Sequence, residues 1–404
     1  MLEVMIDRVR EHYPETEFSV FARDAERVRS LDRNVRQIPV EQKREWAIIH
    51  AAYLKFRRAV PVADSIFRKG TPSWYQSVLR LKARALVNSE ALSGADILIV
   101  SGGGFITDVF PGQVWPVFER MAAAIRQGVP FVLLSQGIGP LRDPALVEKA
   151  REVLPFARLI AIRENLYTHP LLKALGVSPD RIVLTGDDAI EPAYLARSKD
   201  QGTMLGVNFR VAEYAGISQA DVDGLGAAIR SIVVKLNTSL VPLPVCIVDS
   251  VESASDAAVD SHLIDPATAI AIGQIPATPA ALIQRVTRCR VVVTGSYHAA
   301  VFALAQGIPA ICVFNTAYYG NKFRGLESEF GDGCEVIDKS QPHLEQKLIA
   351  AIENVWHRAD ELRPSLLRAS VRQISAGHDA YARLSTIIDS MRNATKSQTA
   401  GLVA

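Results

Sequence analysis

Short, wholly apolar runs alternate along the chain with longer stretches in which apolar residues recur every three or four positions. The first kind of pattern predicts strands covered on both faces, and the second predicts amphipathic helices. In the first half the pattern gives helix 2–13, strand 17–22, a helix-rich stretch over 44–92 broken at Pro61, Gly70 and Pro72, strand 96–101, helix 114–127, strand 130–135, helix 144–153, strand 158–162, helix 165–175 and strand 181–184. The pattern lapses between Glu191 and Gly202 and then resumes. Strands follow at 204–209, 243–248, 290–294, 309–313 and 334–337, with helices at 218–237, 254–264, 278–287 and 297–306. Helices at 343–357 and 363–391 close the series, and the polar run 392–404 reads as a disordered tail.

Regular strand–helix alternation in two consecutive halves predicts an α/β protein of two Rossmann-like domains facing a cleft. The expected boundaries are 1–195 for the first domain, 203–342 for the second and 343–391 for the closing helices. A doubly wound domain ordinarily opens on its central strand, whereas this chain opens on a helix. Either the first domain lacks its first strand, which is the expectation, or another segment fills the middle of its sheet.

Composition narrows the class. The 404 residues carry 45 Lys and Arg against 43 Asp and Glu, a net charge of +2, which gives no whole-chain attraction to nucleic acid. The four cysteines, Cys246, Cys289, Cys312 and Cys334, are scattered without a C-x-x-C pair, and three lie in or beside apolar runs. Buried thiols in a reducing, cytoplasmic setting are the expectation. No apolar run reaches the roughly 20 residues of a spanning helix. The segment 43–84 nevertheless holds ten basic residues against two acids, with Trp46, Tyr53, Trp74 and Tyr75 interleaved. Such a mixture suits either a solvated helical face or peripheral contact with the anionic inner face of a membrane. No recognition motif for nucleic acid accompanies it.

Ligands of open parallel sheets sit beyond the carboxyl ends of the strands, so residues immediately after strands are the candidates for chemistry. Gly102, Gly103 and Gly104 follow one strand, and Gly137 and Gly139 with Pro140 follow another. Both glycine segments read as turns whose backbone either approaches an anion or simply packs tightly. Arg163 and Glu164 follow the strand ending at Ile162; the arginine either forks onto an anionic ligand or pairs with Glu164 or Asp187. Asp187 and Asp188 suit sugar hydroxyls, a metal or a helix cap. Asn208 and Arg210 end the first strand of the second half.

The stretch VVVTGSYHAAVFALAQGIPAICVF, residues 291–314, combines strand, turn, helix and strand. Ser296 is expected to cap the helix, placing His298 in its first turn. There the free N–H groups and the positive dipole end favour an anion. The dipole disfavours imidazolium and a bound anion favours it, so His298 is expected to exchange protons near neutral pH. Downstream, NTAYYGNKFRGL supplies Lys322 and Arg324 in what reads as a glycine-containing loop.

These motifs together resemble one family, the polysaccharide pyruvyl transferases. The resemblance spans about 95–340 and is carried by the GGG segment, QGIGP, RENL, TGDDA and above all GSYHAAVFALAQGIPAICVF with YYGNKFRGL. It implies a glycosyltransferase-B-like fold and transfer of the pyruvyl group of phosphoenolpyruvate, as co-substrate, onto two hydroxyls of a saccharide acceptor, free or lipid-linked. No metal or further cofactor is implied. The resemblance makes His298 the acid–base group and sets Arg163, Arg210 and Lys322 at donor contacts. Ser296 stands where many members carry an arginine. A nucleotide-sugar glycosyltransferase of the same fold is the rival, as is a non-catalytic relative. The helix YHAAVFALAQ lacks the acidic residue with which such glycosyltransferases often hold a ribose.

Overall fold

The computed structural model describes residues 2–22, 35–39, 73–87, 92–246, 256, 263, 276 and 278–401. The expected helix 254–264, apart from Asp256 and Leu263, and most of the basic segment 43–84 lie outside them. The chain forms two compact units, one of residues 1–162, 168–183 and 378–404 and the other of 163–167 and 184–377. The division differs from the linear boundaries expected, because the first unit also takes residues from the end of the chain and the second takes 163–167.

The first unit holds α1 (Leu2–His12), β1 (Phe18–Ala22), β2 (Val35–Pro39), α2 (Ser73–Leu86), β3 (Leu98–Val100), β4 (Gly103–Ile106), α3 (Pro111–Gln127), β5 (Phe131–Ile138), α4 (Pro144–Val153), β6 (Leu159–Ile162), α5 (Thr168–Ala174) and β7, Ile182–Leu184, at its edge. Strands β3, β5, β6 and β7 lie in that order in one sheet, parallel from β3 to β6, with β4 also paired parallel to β5, while β1 and β2 form a separate parallel pair. One face of this unit's core joins Met5, Ile6 and Val9 of α1 to Val132, Leu134, Leu159 and Ala161 of the sheet and to Tyr381 and Leu384 near the chain's end. The apolar stripe of α1 is buried against sequence-distant partners, and that packing rather than helix propensity holds it.

The GGG triplet is not the simple turn expected of it. Gly103 and Gly104 belong to β4, where Gly103 pairs with Gln136 and Ile106 with Ile138. The kink between β3 and β4 is pinned by the Gln136 amide, whose Nε2 donates to Val100 O at 3.2 Å and Ser101 O at 2.8 Å. Gly137 likewise falls inside β5. Gly139 does form a turn: its φ is +106°, a backbone region that favours glycine, and its N–H donates to Ile106 O at 2.8 Å. The two glycine segments are thus neighbours through β4–β5 pairing.

The second unit holds α6 (Ile190–Leu195), β8 (Met204–Asn208), α7 (Gln219–Lys235), β9 (Leu240–Pro242), α8 (Pro279–Val286), β10 (Cys289–Thr294), α9 (Tyr297–Ala305), β11 (Ala310–Phe314), α10 (Ala317–Phe330), β12 (Cys334–Asp338) and, through Gly377, the start of α11 (Leu344–Gly401). Its sheet is wholly parallel, in the order β12-β11-β10-β8-β9. The strand expected at 243–248 is instead β9 at Leu240–Pro242; Pro242 and Pro244 lack the N–H an inner strand needs, and β9 is an edge. The capping box at the head of α7, Ser218 N–H to Asp221 Oδ2 at 2.7 Å, starts that helix where the sequence pattern places it.

Two closing helices and a disordered tail were expected, but α11 is one helix from Leu344 to Gly401 with Pro364 inside it. Burial of Leu362 and Leu366 on either side offsets the lost backbone hydrogen bond at the proline. Residues 392–400 contain no glycine or proline to stop it.

Candidate active site

In the second unit, β8 is followed on one side by β9 and on the other by β10, so the connections out of the sheet's centre diverge between β8 and β10. A crevice opens at the carboxyl ends of strands that part in this way. The residues at those ends are Asn208 on β8, followed by Arg210, and Thr294 on β10, followed by Ser296 and His298. They are laced together: Gly295 N–H donates to Asn208 O at 2.9 Å, and the Thr294 hydroxyl lies 3.2 Å from Asn208 Oδ1 and accepts from Ser296 N–H at 2.8 Å.

Ser296 stands at the N-cap of α9 with extended backbone, but its side chain makes no cap hydrogen bond. This departs from the expected cap. Its Oγ is buried without a hydrogen-bond partner, in a residue only 3% exposed. Among the described residues, the hydroxyl therefore has no partner and does not cap the first N–H groups of α9.

His298, in the first turn of α9, keeps a third of its side chain exposed. Its Nε2 lies 3.8 Å from Asp187 Oδ2, and Arg163 Nε lies 2.9 Å from the same oxygen. Arg163 and Asp187 are buried, as are Glu164, which accepts from Tyr167 N–H at 2.7 Å, and Tyr297. Of the two partners open to Arg163, it takes Asp187. Burial pushes the Asp187 carboxyl up, but the Arg163 charge, with help from His298 and the N–H of Ala189, outweighs it and holds the group ionised below its ordinary range. Loss of water pushes His298 down to about 4; Asp187 opposes the shift, while Arg163 and Lys322 reinforce it. The resting imidazole is neutral at pH 7.

Lys322 and Arg324 lie on α10 rather than in a loop, because Thr316 caps a helix there: its Oγ1 accepts from Tyr319 N–H at 3.4 Å. Lys322 Nζ contacts Tyr318 Oη and sits 3.9 Å from the centre of the Tyr318 ring and 5.5 Å from that of Tyr297. Arg163 reaches within 5.3 Å of the centre of the same Tyr297 ring. Burial holds the Lys322 amine well below its ordinary range, and Arg163 and Arg210 push in the same direction against Asp187. Arg324 is exposed and lies over Phe314. Glycine at 325 is required by close approach, since a Cβ there would come 2.6 Å from Glu164 Cγ.

The structure thus gathers Arg163, Asp187, His298 and Lys322 in one cluster of the second unit. Ser296 lies two residues from His298, and Asn208 and Arg210 stand at the adjoining strand end. Gly102, Gly103, Gly104, Gly137 and Gly139 belong to the first unit. Asp188 is half-buried beside Asp187. Tyr297 and Tyr318, which wall Lys322, were not picked out from sequence; their i, i+1 and i, i+4 spacing to His298 and Lys322 was the available signal. Asp256, which binds Arg210, was not picked out from sequence either. Among the described residues, no group of three or more His, Cys, Asp or Glu side chains is arranged to hold a metal ion, and all four cysteines are free thiols.

This architecture is shared with solved sugar-handling proteins. It aligns with a UDP-N-acetylglucosamine 2-epimerase at a TM-score of 0.57 over 95% of this chain and 91% of that one, at 13% identity. A candidate UDP-N-acetylglucosamine 2-epimerase from Listeria monocytogenes gives 0.56 over 97% and 94%, at 15% identity. A glycosyltransferase from Rickettsia africae gives 0.55 over 96% and 94%, at 10% identity. At such identities the likeness is one of fold, and that fold is the two-unit α/β form of glycosyltransferase-B proteins and sugar epimerases. The sequence model of the polysaccharide pyruvyl transferases matches residues 1–315, and the chain belongs to that family. The matched span begins upstream of the motifs that carried the resemblance and ends before Lys322. No protein of curated function matches the chain in sequence. Membership of that family makes it a transferase that acts on sugars. No helix among the described residues is long and apolar enough to cross a membrane.

Proposed function

We propose that the enzyme transfers the pyruvyl group of phosphoenolpyruvate onto two hydroxyls of a saccharide acceptor, as a cyclic ketal, in the assembly of a cell-surface or exported polysaccharide. The observation that carries this reading is the gathering of basic side chains and a helix N-terminus at one imidazole: Arg163 (paired with Asp187), Lys322 and the start of α9 lie by His298, and Arg210 (paired with Asp256) stands at the adjoining strand end. Phosphoenolpyruvate presents a carboxylate and a phosphate, and a small, highly charged donor needs such a seat.

The chemistry asks little more. A neutral His298 takes the proton of the first sugar hydroxyl as its oxygen bonds to C2 of the donor, and the imidazolium returns a proton to C3, which becomes the methyl group. The second hydroxyl then bonds to C2 as the C2–O bond to phosphate breaks, and its proton leaves with phosphate. Asp187 steadies the imidazolium during the first step, and the arrival of the anionic donor raises the basicity of His298 and Lys322 together. In this reading the Ser296 hydroxyl and the N–H groups behind it donate to the anion's remaining oxygens.

The fold relatives named for nucleotide-sugar chemistry support a second reading, a nucleotide-sugar glycosyltransferase. Against it, α9 carries no acidic side chain ahead of Gly307-Ile308-Pro309. Calorimetric titration with phosphoenolpyruvate and with UDP-sugars, followed by phosphate release across a panel of saccharides, separates the two. Tight binding of UDP-sugars with no response to phosphoenolpyruvate would replace the first reading by the second. Retention in the cytoplasm, with contact through 43–84 to a membrane carrying a lipid-linked acceptor, is part of the same proposal.

A further inference from the structure

The most heavily bonded carboxylate at the sheet's carboxyl edge is one that the proposed chemistry does not use. Asp256 is fully buried. Its Oδ1 accepts from Arg210 Nε at 2.9 Å, and its Oδ2 accepts from Arg210 Nη2 at 2.8 Å, Asn208 Nδ2 at 3.0 Å and the N–H groups of Val245 and Cys246 at 2.9 Å each. Its own N–H donates to Cys246 O at 2.7 Å, so backbone and side chain are both fixed. One carboxylate therefore ties the end of β8 to the chain beyond β9 and engages Arg210 through two parallel bonds.

Among the described residues, that geometry leaves Arg210 a defined set of donors without a partner. Nη1 gives one hydrogen to Tyr214 Oη at 3.1 Å, and Tyr214 stacks at 6.3 Å on Tyr319 of α10, the helix that carries Lys322. One N–H on each terminal nitrogen remains uncommitted in these contacts, on a side chain 13% exposed. Burial alone would weaken the guanidinium's hold on its proton, but Asp256 raises its pKa beyond the ordinary arginine value. The planar pair fixes both the charge and the direction of the outer N–H edge, which an unpaired arginine would sample over several rotamers.

We infer that Asp256 is the positioning residue of the donor site, holding the Arg210 fork, and through Asn208 the adjoining strand end, in the orientation that receives the donor anion. The inference rests on the reading of the site as one for phosphoenolpyruvate. Its effect belongs in donor affinity rather than in the proton relay at His298.

The test is a cycle of Asp256→Asn, Arg210→Gln and the double variant, with phosphoenolpyruvate affinity by calorimetry and KM and kcat by phosphate release. Asp256→Asn, with its oxygen kept at the Oδ2 position, sets its NH2 group against the Nε–H of Arg210 that Oδ1 accepts. It should raise Kd and KM for phosphoenolpyruvate about tenfold or more, with kcat at saturation within about threefold of the parent. The double variant should be no weaker than Arg210→Gln alone, because both changes remove one device. Asp256→Glu, which keeps the charge but displaces the fork, should show the same split and carries the test if the asparagine variant does not fold. Unchanged KM in a folded Asp256 variant, or additive losses in the cycle, would overturn the positioning role while leaving the donor assignment intact. A parent protein that does not bind phosphoenolpyruvate at all would overturn both.

Discussion

The Arg163–Asp187 pair lets the electrostatics of the site be tested without knowledge of any substrate. Asp187→Asn is nearly isosteric, so packing changes little, but it leaves a guanidinium that is 4% exposed without its counter-charge 2.9 Å away. Removing one partner of a buried pair costs about 3–5 kcal/mol, and the asparagine oxygen, which can still accept a hydrogen bond, places this case near 3. With a urea slope of about 3 kcal/mol per molar, the midpoint should fall by about 1 M. Trp356 is the one tryptophan in the second unit, so its fluorescence follows the part of the molecule concerned. Replacing both partners, as Arg163→Met with Asp187→Leu, removes the stranded charge and should recover most of the loss. The same change bears on the imidazole. Asp187 is what holds His298 up against burial, so in Asp187→Asn the ring should titrate even lower, as read by NMR of the histidine ring protons. A midpoint shift under about 0.3 M, or a His298 that titrates higher in the variant, would refute this account of the cluster.

Further expectations follow from the same contacts. The folded-state pKa of His298, about 4, lies below its ordinary value of 6.5, so between these pH values the unfolded chain binds more protons. Stability should therefore be complete above pH 6.5 and decline as pH falls towards 4, by about 2 kcal/mol once the ring's partial exposure is allowed for, and His298→Gln should flatten that slope. Asp187, whose pKa is depressed, loses its contribution separately, as pH falls through a value below 3.8. Gly325→Ala should destabilise by about 1–3 kcal/mol, since its Cβ would press on Glu164 Cγ; a neutral result in thermal melting would show that α10 can shift freely. Lys322→Met keeps the contact with the tyrosine rings but removes the charge, and should raise KM for phosphoenolpyruvate about tenfold or more without lowering the melting temperature.

Much of the fold was legible because its parallel strands are buried on both faces and read as unbroken apolar runs: Val291 to Val293 and Ala310 to Phe314 could hardly be anything else. Where periodicity and local chemistry disagreed, the reading failed. Gly103 and Gly104 look like a turn by residue type, yet β4 exists because β5 offers a free edge, a tertiary fact. The segment after Asn315 looks like a glycine-containing loop, yet Thr316 caps it and Tyr318, Tyr319 and Phe323 bury one face of a helix. Gly320 and Gly325 in that helix mark close contacts with Phe314 and Glu164 rather than breaks. Candidate site residues were found wherever they immediately follow a strand, as Arg163, Asp187, Arg210 and His298 do. Asp256 lies 48 residues from Asn208, in a segment the sequence pattern reads as the helix 254–264, so only folding reveals that it binds Arg210.

The central claim is that His298 moves the proton in a reaction that consumes phosphoenolpyruvate. The direct measurement is the rate of phosphate release from phosphoenolpyruvate, at saturating acceptor, by the parent and by His298→Ala. The account predicts a fall of about a hundredfold or more in kcat, with unchanged melting and little change in donor affinity. A variant that releases phosphate at close to the parent rate would contradict it.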